Sequence, residues 1–249
     1  MSFRIPLALA LFALSSSAAA QYTYIVPISG IAFGYSTAYF AEEWVTNPNA
    51  TAATLRYEAV YPAVGVAPCV LPPDRVIPPR TVLSLTRPCS SLYALVVRSD
   101  QPLRFMVDIH AVFTGRPSGL NNQYQQIDTA TEWLPPETDA LIPTIRLSES
   151  DGKGNLVLVN PNDFVLTVNV HVDRPEVGKS TDSTIQVPPR SLLMSSLAKI
   201  PPPSNGFPDP VPFEGVHHVT VRANGKFQAG VSNIFGSSTT YRSATPLQP

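Results

Sequence analysis

The fold of this chain is indicated by a short stretch that occurs twice. It reads Trp44-Val45-Thr46-Asn47-Pro48-Asn49, and 113 residues later Val157-Leu158-Val159-Asn160-Pro161-Asn162. Each copy is a β-rich run that ends at a turn, because proline presets φ and asparagine bonds to its own backbone. The stretch therefore predicts two strands that end at equivalent turns. A ligand-binding role for Asn47 and Asn160 is the less favoured interpretation.

Three more pairs of segments repeat in the same order. They are Ile25-Val26-Pro27 with Leu141-Ile142-Pro143, Val76-Ile77-Pro78-Pro79-Arg80 with Gln186-Val187-Pro188-Pro189-Arg190, and Phe105 to Phe113 with Phe227 to Phe235 at an offset of 122 residues. A period above one hundred residues indicates duplication of a whole domain. The Pro-Pro-Arg element predicts a sharp bend before a strand. Its arginines are expected to cap carbonyls or pair with acidic residues rather than to bind an anion.

The alternation of side chains supports the same alignment. Leu55, Tyr57 and Ala59 alternate with polar residues, and an offset of 113 places them on Val168, Val170 and Val172. Side chains alternate between the faces of a strand, so a shift of one residue would expose the apolar set. The sequence therefore predicts an all-β fold of two tandem immunoglobulin-like β-sandwich domains related by internal duplication.

Each copy is predicted to contain about seven strands, the number in such a sandwich. The first copy has them near 22–27, 36–46, 53–61, 74–77, 81–86, 92–98 and 103–113. The second has them near 140–146, 154–159, 164–173, 182–187, 190–195, 216–223 and 226–235. Segment 114–138 is expected to hold a linker and one extra strand around Gln123 to Trp133. The predicted domains are residues 21–134 and 135–249.

The first twenty residues are predicted to be a secretory signal peptide. Arg4 gives a basic start, Ile5 to Leu14 is an apolar run, and Ala18-Ala19-Ala20 fits a cleavage site before Gln21. A membrane anchor is the alternative, but spanning a bilayer needs about 20 apolar residues. We therefore expect a protein that is secreted, periplasmic or on the cell surface after cleavage near Ala20-Gln21.

The amino-acid composition limits the classes of partner that we expect. The chain has a formal net charge of −1 and 14% charged residues, so it offers no basic surface for nucleic acid and no sign of membrane insertion. Its 27 prolines punctuate β-rich runs, since proline is excluded from helix interiors and central strands. A protein partner or self-association is the expected mode of action, with carbohydrate as an alternative ligand.

The two cysteines, Cys69 and Cys89, both lie in the first copy. In an exported protein such a pair predicts a disulfide, which here would close a loop of about 20 residues and pin the proline-rich segment Ala67 to Ile77. The C-x-x-C spacing of a metal pair or redox dithiol is missing. We therefore expect a structural role for both thiols.

No residue set predicts catalysis, a cofactor or a metal. His110 with Asp108, and His171 with Asp173, share a strand face at two-residue spacing, but a metal site needs three or four converging ligands. His217-His218 points to opposite faces. No nucleophile-elbow, zinc-protease or phosphate-loop motif occurs in the sequence. We therefore expect a protein that is not an enzyme, with solvated histidine pairs on its surface.

At its Asn-Pro-Asn and Pro-Pro-Arg positions the chain resembles bacterial secreted or cell-surface proteins built of tandem immunoglobulin-like repeats. The resemblance implies a structural or adhesion role. A periplasmic chaperone or assembly factor for surface fibres is the first alternative, although such chaperones have dissimilar domains. A carbohydrate-binding accessory module is the second, and its candidate aromatic residues are Tyr22, Tyr24, Tyr39, Trp44, Tyr124 and Trp133.

The copies differ in two places, and these are the predicted locations of function. One is the Cys69–Cys89 loop. The other is a proline-rich insertion from Pro201 to Pro212, expected to be an exposed interaction loop, whose candidate contact residues are Pro201, Pro202, Pro203, Phe207 and Phe213.

Overall fold

The computed structural model describes residues 21–33, 37–113, 121–127, 132–147, 152–197, 215–235 and 238–247. Eight strands form what we call the first unit: β1 (Tyr22–Phe33), β2 (Thr37–Asn47), β3 (Ala53–Pro62), β4 (Arg75–Ile77), β5 (Thr81–Ser84), β6 (Tyr93–Ser99), β7 (Arg104–Phe113) and β8 (Asn121–Ile127).

Nine further strands form the second unit: β9 (Ala140–Leu147), β10 (Gly152–Asn160), β11 (Leu166–Arg174), β12 (Lys179–Val187), β13 (Ser191–Ser196), β14 (Gly215–Ala223), β15 (Gln228–Phe235), β16 (Ser238–Ser243) and β17 (Thr245–Pro246). A 3₁₀ turn at Pro175–Val177 links β11 to β12. The predicted all-β class is confirmed for the described residues.

Strand β1 crosses between two sheets in the first unit. Its start pairs with β6 from Tyr22 to Val26, and its end pairs with β2 from Gly30 to Phe33. The first sheet therefore has the order β4-β3-β6-β1, and the second has β2-β7-β8 with β5 beside β2. Gly30 permits the crossing, because its φ of +87° favours glycine and an added Cβ would meet the Tyr93 ring.

The second unit repeats these sheet orders. Its sheets run β12-β11-β14-β9-β17 and β13-β10-β15-β16. Adding eight to each first-unit strand number reproduces both orders, apart from the short added strand β17. All the strand pairs named in these sheets are antiparallel.

Each unit buries an apolar core between its two sheets. In the first unit, Leu55 and Leu95 of one sheet share a cluster with Val45 and Phe105 of the other. The Phe105 ring also packs at 4.7 Å from the ring of Tyr24. Burying one such side chain stabilises the folded unit by roughly 1.5–3 kcal/mol. Packing of this apolar cluster therefore helps to hold the two sheets together. A second cluster joins the two sheets of the second unit.

The predicted strands agree with the observed ones to within two residues at each end, apart from two larger differences. β1 continues to Phe33 instead of ending near residue 27, because it crosses to the second sheet. β12 begins at Lys179 rather than near residue 182, and it pairs with β11 along its whole length. β16 and β17 were not predicted, and β8 falls where an extra strand was expected.

The predicted match of Phe105 with Phe227 is wrong by two residues. Phe105 lies opposite Val45, whereas Ala229 lies opposite Leu158, 113 residues beyond Val45. Phe105 therefore corresponds to Ala229, and Phe227 corresponds to Leu103. A two-residue shift keeps every side chain on its face, so alternation in the sequence cannot detect it.

The two units contact each other where β3 ends. Val64 donates its N–H to the carbonyl of Leu192 at 3.0 Å, next to a parallel bridge between Ala63 and Leu192. The Tyr61 ring meets Trp133 edge-on at 5.8 Å. Leu192 also belongs to the buried cluster of the first unit, so apolar packing continues from one unit into the other.

Candidate functional site

The repeated asparagine fastens a turn in each unit. The Asn47 side chain, fully buried at the end of β2, donates to the carbonyls of Thr51, Ile77 and Pro78 at 2.9, 3.0 and 3.2 Å. Its Oδ1 accepts from the backbone and side-chain N–H of Asn49. All the hydrogen-bonding capacity of this amide is used within the chain, which leaves none for a ligand.

The second unit contains the same bonds. Asn160 donates to Phe164, Val187 and Pro188 at 2.8, 3.0 and 2.9 Å, and its Oδ1 accepts twice from Asn162. The side chains of Asn49 and Asn162 then reach the carbonyls of Pro102 and Lys226. The structure thus gives Asn47 and Asn160 the predicted role in turns.

The Pro-Pro-Arg elements form the expected bends. Arg80 and Arg190 have φ values of 53° and 51°, and their N–H groups donate to Asn49 and Asn162 respectively. The Nε of Arg190 also lies 2.7 Å from Oδ1 of Asp163. The hydrogen bond and positive charge of Arg190 lower the pKa of Asp163. Arg190 therefore pairs with an acidic neighbour, one of the two roles predicted for it.

The predicted disulfide joins Cys69 to Cys89, with their Cα atoms 5.1 Å apart. Residues 64–82, most of which lie within the loop that it closes, contain several exposed apolar side chains. We call this the apolar loop segment, and its exposed members are Val64, Val70, Leu71, Val76 and Val82. Val70 is 79% exposed and Val76 is 65% exposed. The cysteines predicted a constrained loop at this place, but the sequence did not predict that its apolar side chains are exposed.

The histidines do not converge. His171 Nδ1 lies 2.7 Å from Oδ1 of Asp182 on β12, instead of pairing with the predicted Asp173, which lies opposite His218. His217 is buried, and burial lowers the pKa of its imidazole below the ordinary value. The side chain of His110 lies outside the described residues. Among the side chains that are described, no three His, Cys, Asp or Glu residues form a group that could hold a metal ion.

A buried carboxyl in the first unit was missed. Glu43 is 2% exposed in the middle of β2, and its Oε1 accepts a 2.9 Å hydrogen bond from the Tyr93 hydroxyl. Burial raises the pKa of this carboxyl, against the opposing effects of the Ser29 and Tyr93 hydroxyls and of Arg87. The signal was in the sequence, because Glu43 occupies an inward position between Ala41 and Val45.

The candidate carbohydrate-binding aromatics whose side chains are described do not form an exposed platform. Tyr24 is 1% exposed, and its hydroxyl accepts the N–H of Leu103. Trp133 packs on Tyr61, and Tyr22 and Trp44 are half-buried. The side chains of Tyr39 and Tyr124 lie outside the described residues.

The other predicted interaction loop is not covered by the structure. Its candidate residues, Pro201, Pro202, Pro203, Phe207 and Phe213, all lie outside the described residues, as does the predicted signal peptide. In the parts of the chain that are described, no helix has the length and apolar character needed to cross a membrane.

No protein-family model, curated protein or solved structure matches this chain.

Proposed function

We propose that the mature chain is a secreted, non-catalytic structural or adhesion protein of the cell envelope or extracellular space. The observation that carries the proposal is the apolar loop segment of the first unit. Five large apolar side chains are exposed between residues 64 and 82, and a surface rich in exposed apolar side chains is typical of a protein contact site. A disulfide pins this segment, so its side chains are held in place before a partner arrives, which reduces the entropic cost of binding.

Duplication of one ancestral sandwich domain is part of the same proposal. It is supported by the bonds that recur at Asn47 and Asn160, and by the bond from Arg98 to Gln21, which has its counterpart between Arg222 and Glu137. In this proposal the term immunoglobulin-like refers only to the packing of two sheets in a sandwich. A constant-type immunoglobulin domain places its first and second strands in one sheet, whereas here β1 pairs mostly with β6.

The disulfide also agrees with export, since disulfides persist in oxidising compartments. A signal peptide over residues 1–20, with cleavage near Ala20-Gln21, completes this part of the proposal. Mass spectrometry of the exported protein tests it directly. A mature N-terminus at Gln21 is expected, and protein retained in the cytoplasm with an intact N-terminus would contradict export.

The contact surface is tested with mature protein carrying Val70→Ser and Val76→Thr together. We expect assembly of the wild-type protein into oligomers, filaments or surface arrays, seen by light scattering and electron microscopy, and its loss in the double variant. Val177→Ser is the matched control, because Val177 is 49% exposed on the second unit. A wild-type protein that stays monomeric and captures no partner would refute the proposed role.

A strand-accepting assembly factor is the second candidate, and the edge of β12 favours it. β12 ends its sheet, has nine residues and contains no proline. The corresponding edge of the first unit is β4, which has three residues and follows Pro72-Pro73. Unpaired edges accept strands from other chains. Copurification of a single strand-providing partner in place of self-assembly would favour this function.

A further inference from the structure

The second unit has no counterpart to the buried carboxyl of Glu43. Aligned on Asn47 and Asn160, Glu43 corresponds to Leu156, which is also fully buried. The same alignment places Tyr93 on His217, since Ser29 pairs with Tyr93 where Ile145 pairs with His217. An apolar residue therefore fits this position in the fold, and the first unit carries an ionisable group there.

The carboxyl bridges strands of both sheets. Glu43 lies on β2, and Tyr93, which bonds its Oε1, lies on β6 of the other sheet. Ser29 is the cross-strand partner of Tyr93 on β1. Oε2 of Glu43 and Oγ of Ser29 are both buried and neither forms a hydrogen bond of ordinary geometry, although the Ser29 hydroxyl is near enough to the carboxyl to favour its ionised form. The neutral acid can donate from Oε2 as well as accept from Tyr93, whereas the ionised carboxyl can only accept.

Burial of the carboxyl outweighs the neighbouring groups that favour a negative charge on it. Tyr93 faces it from β6 and Tyr57 from β3, and burial raises the pKa of both hydroxyls, so both stay neutral. The cation acting on it is Arg87, after β5, which also forms a 3.3 Å ion pair with the exposed Glu42. Transfer of a carboxylate with so few compensating partners into a buried position is costly.

We propose that Glu43 is a pH-responsive element of the first unit: as the neutral acid it links the two sheets, and its ionisation loosens them. Burial raises the pKa of the folded carboxyl above the ordinary 4.5 of an unfolded chain. Between these two values only the folded state holds the proton. The stabilising contribution is therefore complete below pH 4.5 and is lost as pH rises to the folded pKa.

The test compares urea unfolding of the mature wild type and Glu43→Gln across a pH series. In the wild type, the unfolding constant of the first unit should rise by up to about tenfold per pH unit above 4.5, then level off. The rise should vanish in Glu43→Gln, which cannot ionise. Glu42→Gln, the exposed neighbour on the same strand, should keep it. A wild-type pH dependence in Glu43→Gln overturns the proposal.

Two further measurements keep the test decisive. Arg87→Gln should move the levelling-off point to higher pH, because Arg87 favours the ionised carboxyl. The infrared band of a protonated carboxylic acid should persist in the wild-type protein above the pH at which ordinary glutamates ionise. Loss of that band at the ordinary glutamate pKa would refute the inference, even if Glu43→Gln failed to fold. Glu43→Leu, the residue type of the second unit, gives a second non-ionising variant.

Discussion

Replacing Asn47 by alanine should cost the protein about 3 kcal/mol of unfolding free energy, and the structure allows this figure to be assembled. The side chain donates to three backbone carbonyls, of which the bond to Ile77 is fully buried and the bonds to Thr51 and Pro78 are partly buried. An unpaired buried acceptor costs about 1–3 kcal/mol, and an ordinary hydrogen bond contributes about 1 kcal/mol net. Water can replace part of the two outer bonds, so their loss adds less.

The measurement is urea unfolding of the mature protein, followed by tryptophan fluorescence and circular dichroism. Asn47→Asp removes the three donated bonds while keeping the acceptor, so it should destabilise at least as much as alanine. Asn160→Ala should give a loss of similar size, because its bonds have nearly the same lengths. If the units unfold separately, each variant should move only its own transition.

The control is Asn169→Ala. Asn169 is exposed and accepts a hydrogen bond from Thr184, so its loss should change stability by less than about 0.5 kcal/mol. The reasoning would be refuted if Asn47→Ala and Asn160→Ala both behaved like this surface control. It would also fail if Asn47→Asp were as stable as the wild type, since the donated bonds would then contribute nothing.

Three other predictions concern the same molecule. Removing the disulfide with Cys69→Ala and Cys89→Ala should cost about 3 kcal/mol, the loop-entropy value for a separation of 20 residues, and wild-type protein treated with reductant should match the variant in urea unfolding. His217 should make the protein less stable in acid. Because burial lowers the pKa of its imidazole in the folded state, the free energy of unfolding should fall as pH drops below 6.5. Urea unfolding across a pH series should show that His217→Gln lacks this dependence. Gly230→Ala should destabilise by about 1–3 kcal/mol, because the new Cβ would meet the Tyr241 ring and the Arg242 carbonyl, and a thermal melt equal to wild type would contradict the packing around β15.

Much of the fold could be predicted because the decisive signals are local. The Asn-Pro-Asn turns end β2 and β10 one residue beyond the predicted ends, and the alternation of Leu55, Tyr57 and Val168 gives the correct inward faces. The disulfide followed from the presence of two cysteines in a chain with an export-type start. Such features depend on turn chemistry and on side-chain period, which the sequence displays directly.

Less of the candidate site than of the fold could be predicted from the sequence. Exposure of Val70 and Val76 depends on how β4 and the disulfide lie at the edge of the unit, and no periodic pattern in this proline-rich segment indicates it. The partner of His171 was missed for a related reason. Spacing within a strand suggested Asp173, whereas pairing between β11 and β12 brings Asp182 opposite instead.

The sequence by itself determined the all-β class, most of the strands, the two fastened turns and the residues that face inward. The tertiary structure alone decided the crossing of β1, the correspondence of Phe227 with Leu103, and the burial of Glu43 against Tyr93. The physical reason is that a period of two residues specifies the face of a strand but not its partner or its register in steps of two. Pairing between strands distant in the sequence sets the partner and the register. It also brings different side chains together in the two units, so that only the first unit buries the Glu43 carboxyl against Tyr93.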